Sequence, residues 1–210
     1  MALTFPYPLS FLSDLLCTRD DVLMALRRND EISGSGDGRY WTAELSRPLW
    51  SATVTIGFQH RARAREIDAK IRALNGSAKA FLWADPFYAP AANPGTSVTL
   101  ASISADRTQI SVSGLPGGFA IRPGDRLSIA WGTDRHYLAE IAEVVAANGS
   151  GTTPLFGVMP YLPLSVSAGA AVNMAKPVVK MIIPPDGFTP FSSRPGRFSQ
   201  GASIQMLQKV

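Results

Sequence analysis

The chain has 210 residues, 46% of them hydrophobic and only 17% charged, with a net charge of +4 and a single cysteine. That is enough apolar material for one large β-rich domain or two small ones. The lone Cys17 excludes an internal disulfide and any cysteine-based metal site, and the low charged fraction points to an exterior partly buried against other subunits. Eighteen glycines and 16 prolines favour frequent turns over long helices.

The N-terminal run MALTFPYPLSFLSDLLC is apolar, but it lacks a basic start and carries Pro6 and Pro8, so a secretion signal is not expected. No stretch reaches the roughly 18 apolar residues of a membrane helix. Val22 to Arg28 and Tyr40 to Leu45 are short strand candidates, with a Gly/Ser/Asp-rich mobile tip over Ile32–Gly38 between them. Trp50 to Phe58 alternates cleanly: Trp50, Ala52, Val54, Ile56 and Phe58 share one face. A helix is predicted over residues 60–74, because Ala64, Ile67, Ile71 and Leu74 form one apolar stripe and Asn75-Gly76 supplies a C-terminal stop. Its first turns carry Arg61, Arg63 and Arg65, against the helix dipole. These arginines either meet acidic groups on a partner or are screened by Glu66 and Asp68.

Ala80 to Trp83 is a further strand, and Pro90 to Gly95 a loop. From residue 96 only short strands follow: Val98 to Ile103, Gln109 to Val112, a strand with Leu127, Ile129 and Trp131, Tyr137 to Val145, Leu155 to Met159, Ala171 to Met174 and Val178 to Ile183. Turns fall at Gly114–Gly118, Arg122–Asp125 and Asn148–Gly151. Pro184 to Gly201 reads as an irregular arm, and Ala202 to Leu207 as a last strand or a turn of helix. The expected fold is mainly β with one amphipathic helix (α+β). Residues 1–95 and 176–210 form a β-sandwich core with the helix and the C-terminal arm, and residues 96–175 an inserted small β-barrel or galectin-like β-domain.

Catalytic chemistry finds little support. Only His60 and His136 could serve a triad, and no GxSxG elbow is present. His136, beside Asp134-Arg135 at a hairpin tip, is expected at the surface. Among the carboxylates Asp125, Asp134, Glu140 and Glu143, the last two are three apart and would point to opposite faces of a strand. Asp125 follows Pro-Gly and suits a turn. Gly34 to Gly38 lacks the Lys-Ser/Thr of a phosphate loop. Arg194 and Arg197 form a second basic cluster, but aromatic residues are not interleaved with either cluster as a single-strand surface requires. Trp41, Trp50, Trp83 and Trp131 each lie in or beside a strand and suit either core or an interface, as do Phe87 and Tyr88. No catalytic, cofactor or metal residues are assigned, and no enzyme activity, membrane or specific nucleic-acid partner is expected.

A succession of loose motifs adds to this. Arg39-Tyr40-Trp41 leads into Arg47-Pro48-Leu49-Trp50. The helix ends in Asn75-Gly76 and is followed by Phe81-Leu82-Trp83-Ala84-Asp85-Pro86. Then come Ile121-Arg122-Pro123-Gly124-Asp125, Asn148-Gly149-Ser150-Gly151, Val158-Met159-Pro160-Tyr161-Leu162 and Lys176-Pro177-Val178-Val179-Lys180-Met181. In this order, over about residues 20–185, the chain resembles the distal-tail-type proteins of long-tailed bacteriophages. The resemblance implies a non-enzymatic structural protein of the virion tail tip, assembled in the bacterial host cytoplasm. It also implies a hexameric ring joining the tail tube to the hub and receptor-binding parts, with the tube protein, the hub or tip proteins and the tape measure protein as partners. A ring needs free strand edges and a reaching arm; the strand Trp50 to Phe58 and the arm Pro184 to Val210 are the candidates here. The alternative is a carbohydrate-binding module, with residues 96–175 presenting aromatics to host glycans. A third possibility, a cell-wall hydrolase, would need a working carboxylate pair.

Overall fold

The computed structural model describes residues 4–13, 21–193 and 195–210; Cys17 and Arg194 lie outside them. The fold is β-rich with one substantial helix, as expected. Its main sheet contains β1 (Val22–Ser35), β2 (Arg39–Ile56), β4 (Phe81–Trp83), β13 (Val179–Ile182), β14 (Phe188–Thr189) and β17 (Ala202–Gln208), ordered β1-β2-β17-β13-β4 with β14 also on β17. All of these pairings are antiparallel.

Alternation along β2 builds the core. Trp50, Ala52, Val54 and Ile56 are buried on one face, opposite Leu26, Met24 and Val22 of β1 on one side and Met206, Ile204 and Ala202 of β17 on the other. A short helix α1 (Ser10–Ser13) precedes these strands, and α2 (Arg61–Arg72) packs against them. Ala64, Ile67 and Ile71 of α2, with Leu74, join the same hydrophobic cluster as the sheet. This is the predicted stripe, and it ends as predicted: Asn75 and Gly76 take φ of 53° and 65°. Only the glycine adopts that left-handed region without strain.

Four expectations are corrected. Tyr40–Leu45 and Trp50–Phe58 are a single strand, β2, and Phe58 lies beyond its end, 73% exposed. The predicted mobile tip is mostly laddered strand: Ser33 pairs with Trp41 and Ser35 with Arg39, leaving only Gly36-Asp37-Gly38 as the turn. The C-terminal residues do not form a reaching arm. β14 pairs with β17, β15 (Ser192–Ser193) with β16 (Phe198–Gln200), and β16 with β3 (Gln59–His60), while β17 fills the middle of the main sheet. Strand Trp50–Ile56 is therefore internal, paired on both sides, and offers no edge.

The inserted residues form a second hydrophobic cluster around Leu100, Ile110, Ile121, Leu127, Ile129 and Phe156. Their strands pair only among themselves: β5 (Thr99–Ile103) and β11 (Phe156–Gly157) flank β6 (Gln109–Ser113), β9 (Arg135–Glu140) and β12 (Val172–Asn173) flank β8 (Arg126–Trp131), and β7 (Ala120–Ile121) pairs with β10 (Val145–Ala146). These are three short sheets, and among the described residues they do not close into the expected barrel. The predicted strand Tyr137–Val145 breaks after Glu140, where Ile141 N bonds to Asp125 O and Gly124 N to Ile141 O instead of continuing a ladder.

The two hydrophobic units meet at a polar joint. The indole of Trp50 donates to Leu138 O at 2.9 Å, and Val178 N donates to Ser128 Oγ at 2.9 Å. Arg126 reaches Asp85 at 2.9 Å and Glu140 at 3.0 Å, with its guanidinium 5.8 Å from the Trp50 ring centroid.

Candidate interaction surface

The edges of the main sheet are treated very differently. At the β4 end, the N-terminal segment covers the edge: Tyr7 N donates to Ala80 O at 3.0 Å and Leu82 N to Tyr7 O at 2.8 Å. Tyr7 stacks on Phe11 with ring centroids 4.1 Å apart, and Phe11 packs on Phe81. At the other end, β1 is the last strand among the described residues, and no described strand pairs with its outer edge.

Beyond Leu26 and Arg47 the β1–β2 hairpin leaves the body. Every residue from Arg27 to Ser46 is exposed, so both faces of a two-stranded ribbon are wet. Register shifts between Arg27 and Asp30 mark where the ribbon departs, the place where bulges bend a strand. At the base, Arg47 anchors it: its guanidinium donates to Tyr161 O and lies 4.9 Å from the Tyr161 ring centroid. Burial holds the Arg47 pKa below its ordinary value, partly offset by Tyr137 and Tyr161.

The ribbon carries large apolar side chains where a solvated strand has no use for them. Ile32, Tyr40, Trp41 and Leu45 are 66%, 74%, 69% and 59% exposed. The register puts Trp41 opposite Ser33 on one face, and Tyr40 opposite Gly34 beside Ile32 on the other. A Cβ at Gly34 would sit 3.2 Å from the Tyr40 ring, so a side chain there would crowd the phenol. A ribbon of this kind is marginal alone, and aromatics with this much free surface are the residues interfaces bury.

A cleft of about 450 Å³ lies where the ribbon meets the inserted unit, lined by Leu26, Pro48 and Met159 together with Arg28, Glu44 and Glu143.

The other residues singled out from the sequence occupy structural roles. Asp125 is buried and accepts from Arg122 N at 2.8 Å and Ala91 N at 3.2 Å, the turn function expected of it. Glu140 is held by Arg126, Glu143 accepts from Gly157 N, and Asp134 takes a positive φ in the β8–β9 turn. His136, expected at an exposed tip, is half-buried. Burial lowers its pKa, neighbouring Lys180 lowers it further, and Asp134 opposes both. Gly34 to Gly38 is ribbon and turn. Trp50 and Trp83 are core, Trp131 is half-buried, and Trp41 is exposed. Phe87 is exposed, whereas the Tyr88 hydroxyl bonds Arg126 O at 3.2 Å. In the inserted unit Phe119, Tyr137 and Phe156 are buried, and its half-exposed aromatic Tyr161 lies under Arg47. Arg63 pairs with Glu66 at 2.9 Å, as does Lys70 at 2.7 Å. No group of three or more His, Cys, Asp or Glu side chains among the described residues could hold a metal, and none of their helices is long and apolar enough to cross a membrane.

Compared with known proteins, the chain matches no family model, and a search of curated proteins returns no significant relative.

Proposed function

We propose that the chain is a non-enzymatic structural subunit of a bacteriophage tail tip. Copies assemble into a hexameric ring that joins the tail tube to the hub and receptor-binding parts. The observation that carries this is the ribbon Arg27–Ser46, wet on both faces and studded with Ile32, Tyr40, Trp41 and Leu45. Tyrosine and tryptophan each offer roughly 150–250 Å² of surface, and at about 25 cal/mol per Å² their burial against a neighbour contributes several kcal/mol per subunit contact. The motif order over residues 20–185 supports the tail-tip assignment. The free edge required of a ring subunit belongs to β1 and the outer half of β2, not to Trp50–Ile56, which is paired on both sides, nor to the C-terminal residues, which fold into the sheets.

The test is the mass of the purified protein in solution. Six copies of the 22.5 kDa chain give about 135 kDa. Replacing Tyr40 and Trp41 together by serine should leave monomers that unfold like wild-type protein diluted to the monomer, because neither side chain supports the core. A wild-type protein that stays monomeric at tens of micromolar, or a double variant that assembles normally, refutes the proposal.

A further inference from the structure

β2 joins two exposed surfaces of opposite character. At its start, the ribbon Arg27–Ser46 carries four carboxylates and three guanidiniums, a net charge of −1, and Arg28 pairs with Asp30 and Arg39 with Asp37, which leaves Glu31 and Glu44 outside these pairs. Past its end lies a second aromatic surface, built from residues far apart in the chain. β3 pairs with β16 so that His60 faces Phe198, their rings 4.7 Å apart. Arg61 N donates to Arg197 O at 3.0 Å, which brings the start of α2 against the segment before β16. Phe58 and Phe198 are 73% and 53% exposed, and Arg61 and Arg65 of α2 and Arg197 just before β16 are exposed as well. With His60 neutral, residues 58–66 and 197–199 carry four guanidiniums and one carboxylate, a net charge of +3. The fold thus interleaves aromatic and basic residues that are far apart in the chain.

These two surfaces are complementary in both respects, apolar rings at the centre and opposite charge around them, the arrangement that steers and registers protein contacts. A single copy cannot bring them together. From Arg39 to Ile56 the strand is extended, and at about 3.3 Å per residue its ends stand on the order of 50 Å apart. We infer that the ribbon of one copy docks on the Phe58–His60–Phe198 surface of the next. This head-to-tail contact rests on the ring proposed above and names its interface. Identical heterologous contacts of this kind close into a ring when the rotation permits. The face of the ribbon that carries Trp41 and Glu31 meets this surface, with Trp41 against Phe58 and Phe198 and Glu31 towards Arg65 and Arg197.

Charge reversal tests it on the full chain. The first variant, Glu31→Lys with Glu44→Lys, turns the ribbon positive; the second, Arg65→Glu with Arg197→Glu, turns the docking surface negative. All four side chains are exposed, so each variant should unfold like wild-type protein diluted to the monomer, while the assembled wild type melts higher by mass action. Each variant alone opposes like charges, and like-charge juxtaposition at an interface is strongly unfavourable. The mass seen by light scattering should fall to that of the monomer, with the assembly midpoint raised at least about 30-fold. In an equimolar mixture every ribbon again meets a surface of opposite sign, and assemblies of alternating subunits should reappear. Assembly of either variant alone at the wild-type concentration overturns the inference, as does a mixture that stays monomeric. If the ribbon variant dissociates while the surface variant does not, the ribbon docks elsewhere: the inference fails and the ring stands. Monomeric wild-type protein overturns both.

Discussion

Replacing Arg126 by methionine should loosen the joint between the two hydrophobic units by about 2–3 kcal/mol. The arginine side chain is 19% exposed and the Asp85 side chain 16%, so their 2.9 Å pair is largely withdrawn from water. Breaking such a pair from one side strands the other charge, which costs about 3–5 kcal/mol when burial is complete. Glu140 is 35% exposed and screened by solvent, so its share stays near the surface value of about 1 kcal/mol or less. Methionine gives up the guanidinium that lies over the Trp50 and Tyr88 rings but keeps an apolar side chain of similar reach beside them. The partial exposure of Asp85 and this retained packing bring the expected loss below the fully buried figure. Urea unfolding followed by tryptophan fluorescence measures it, because Trp50 sits at the joint. Converting Asp85 to asparagine in the Arg126→Met background removes the stranded carboxylate, so the double variant should lose at least about 1 kcal/mol less than the sum of the single losses. An Arg126→Met protein within about 0.5 kcal/mol of wild type, or strict additivity in the cycle, would show that the joint does not depend on this charge.

Other outcomes follow from particular residues. Removing residues 202–210 takes away the strand between β2 and β13 and with it buried Ala202, Ile204 and Met206; circular dichroism should show no cooperative unfolding, whereas a detachable arm would leave the transition intact. Gly151→Ala should cost more than about 2 kcal/mol, since φ is +77° and the new Cβ would lie 2.0 Å from Leu115 O; a smaller loss in thermal melts would mean that the turn adjusts. His136 titrates below its ordinary value, so the folded state binds its proton less readily than the unfolded one. Its contribution is complete above the unfolded value near 6.5 and is lost as pH falls through the lower folded value. His136→Gln should therefore flatten the fall in stability between neutral pH and pH 5, and parallel melting curves for the two proteins would contradict this.

Periodicity made some parts of this molecule legible and long-range pairing hid others. The stripe Ala64, Ile67, Ile71, Leu74 and the alternation Trp50 to Ile56 are local patterns, and both took the predicted form. Asp125 could be read as a turn residue because its acceptor role is set by neighbours in the chain. Joining Tyr40–Leu45 to Trp50–Ile56 was not legible, because Arg47-Pro48 interrupts the pattern and the bulged pairing with β1 carries the strand through it. The place of residues 202–208 in the main sheet depends on partners about 150 residues away, to which no local signal refers. The ribbon was half legible. Its place beside a strand suits Trp41 to core or interface alike, and only its 69% exposure on the folded chain distinguishes them. Nothing in the spacing of His60 and Phe198 announces that their rings meet.

The central position of β17 also sets an order of events during synthesis. Residues 99–173 hold all the partners of their own sheets and can condense as soon as they emerge. The larger sheet waits: β1 and β2 emerge early, yet the strand that must lie beside Ser51–Ile56 is translated some 150 residues later. Until then the apolar row Trp50, Ala52, Val54, Ile56 is an uncovered template, open to strands from other nascent chains. Pulse-labelled hydrogen exchange should accordingly find Ile110 and Leu127 protected well before Val54.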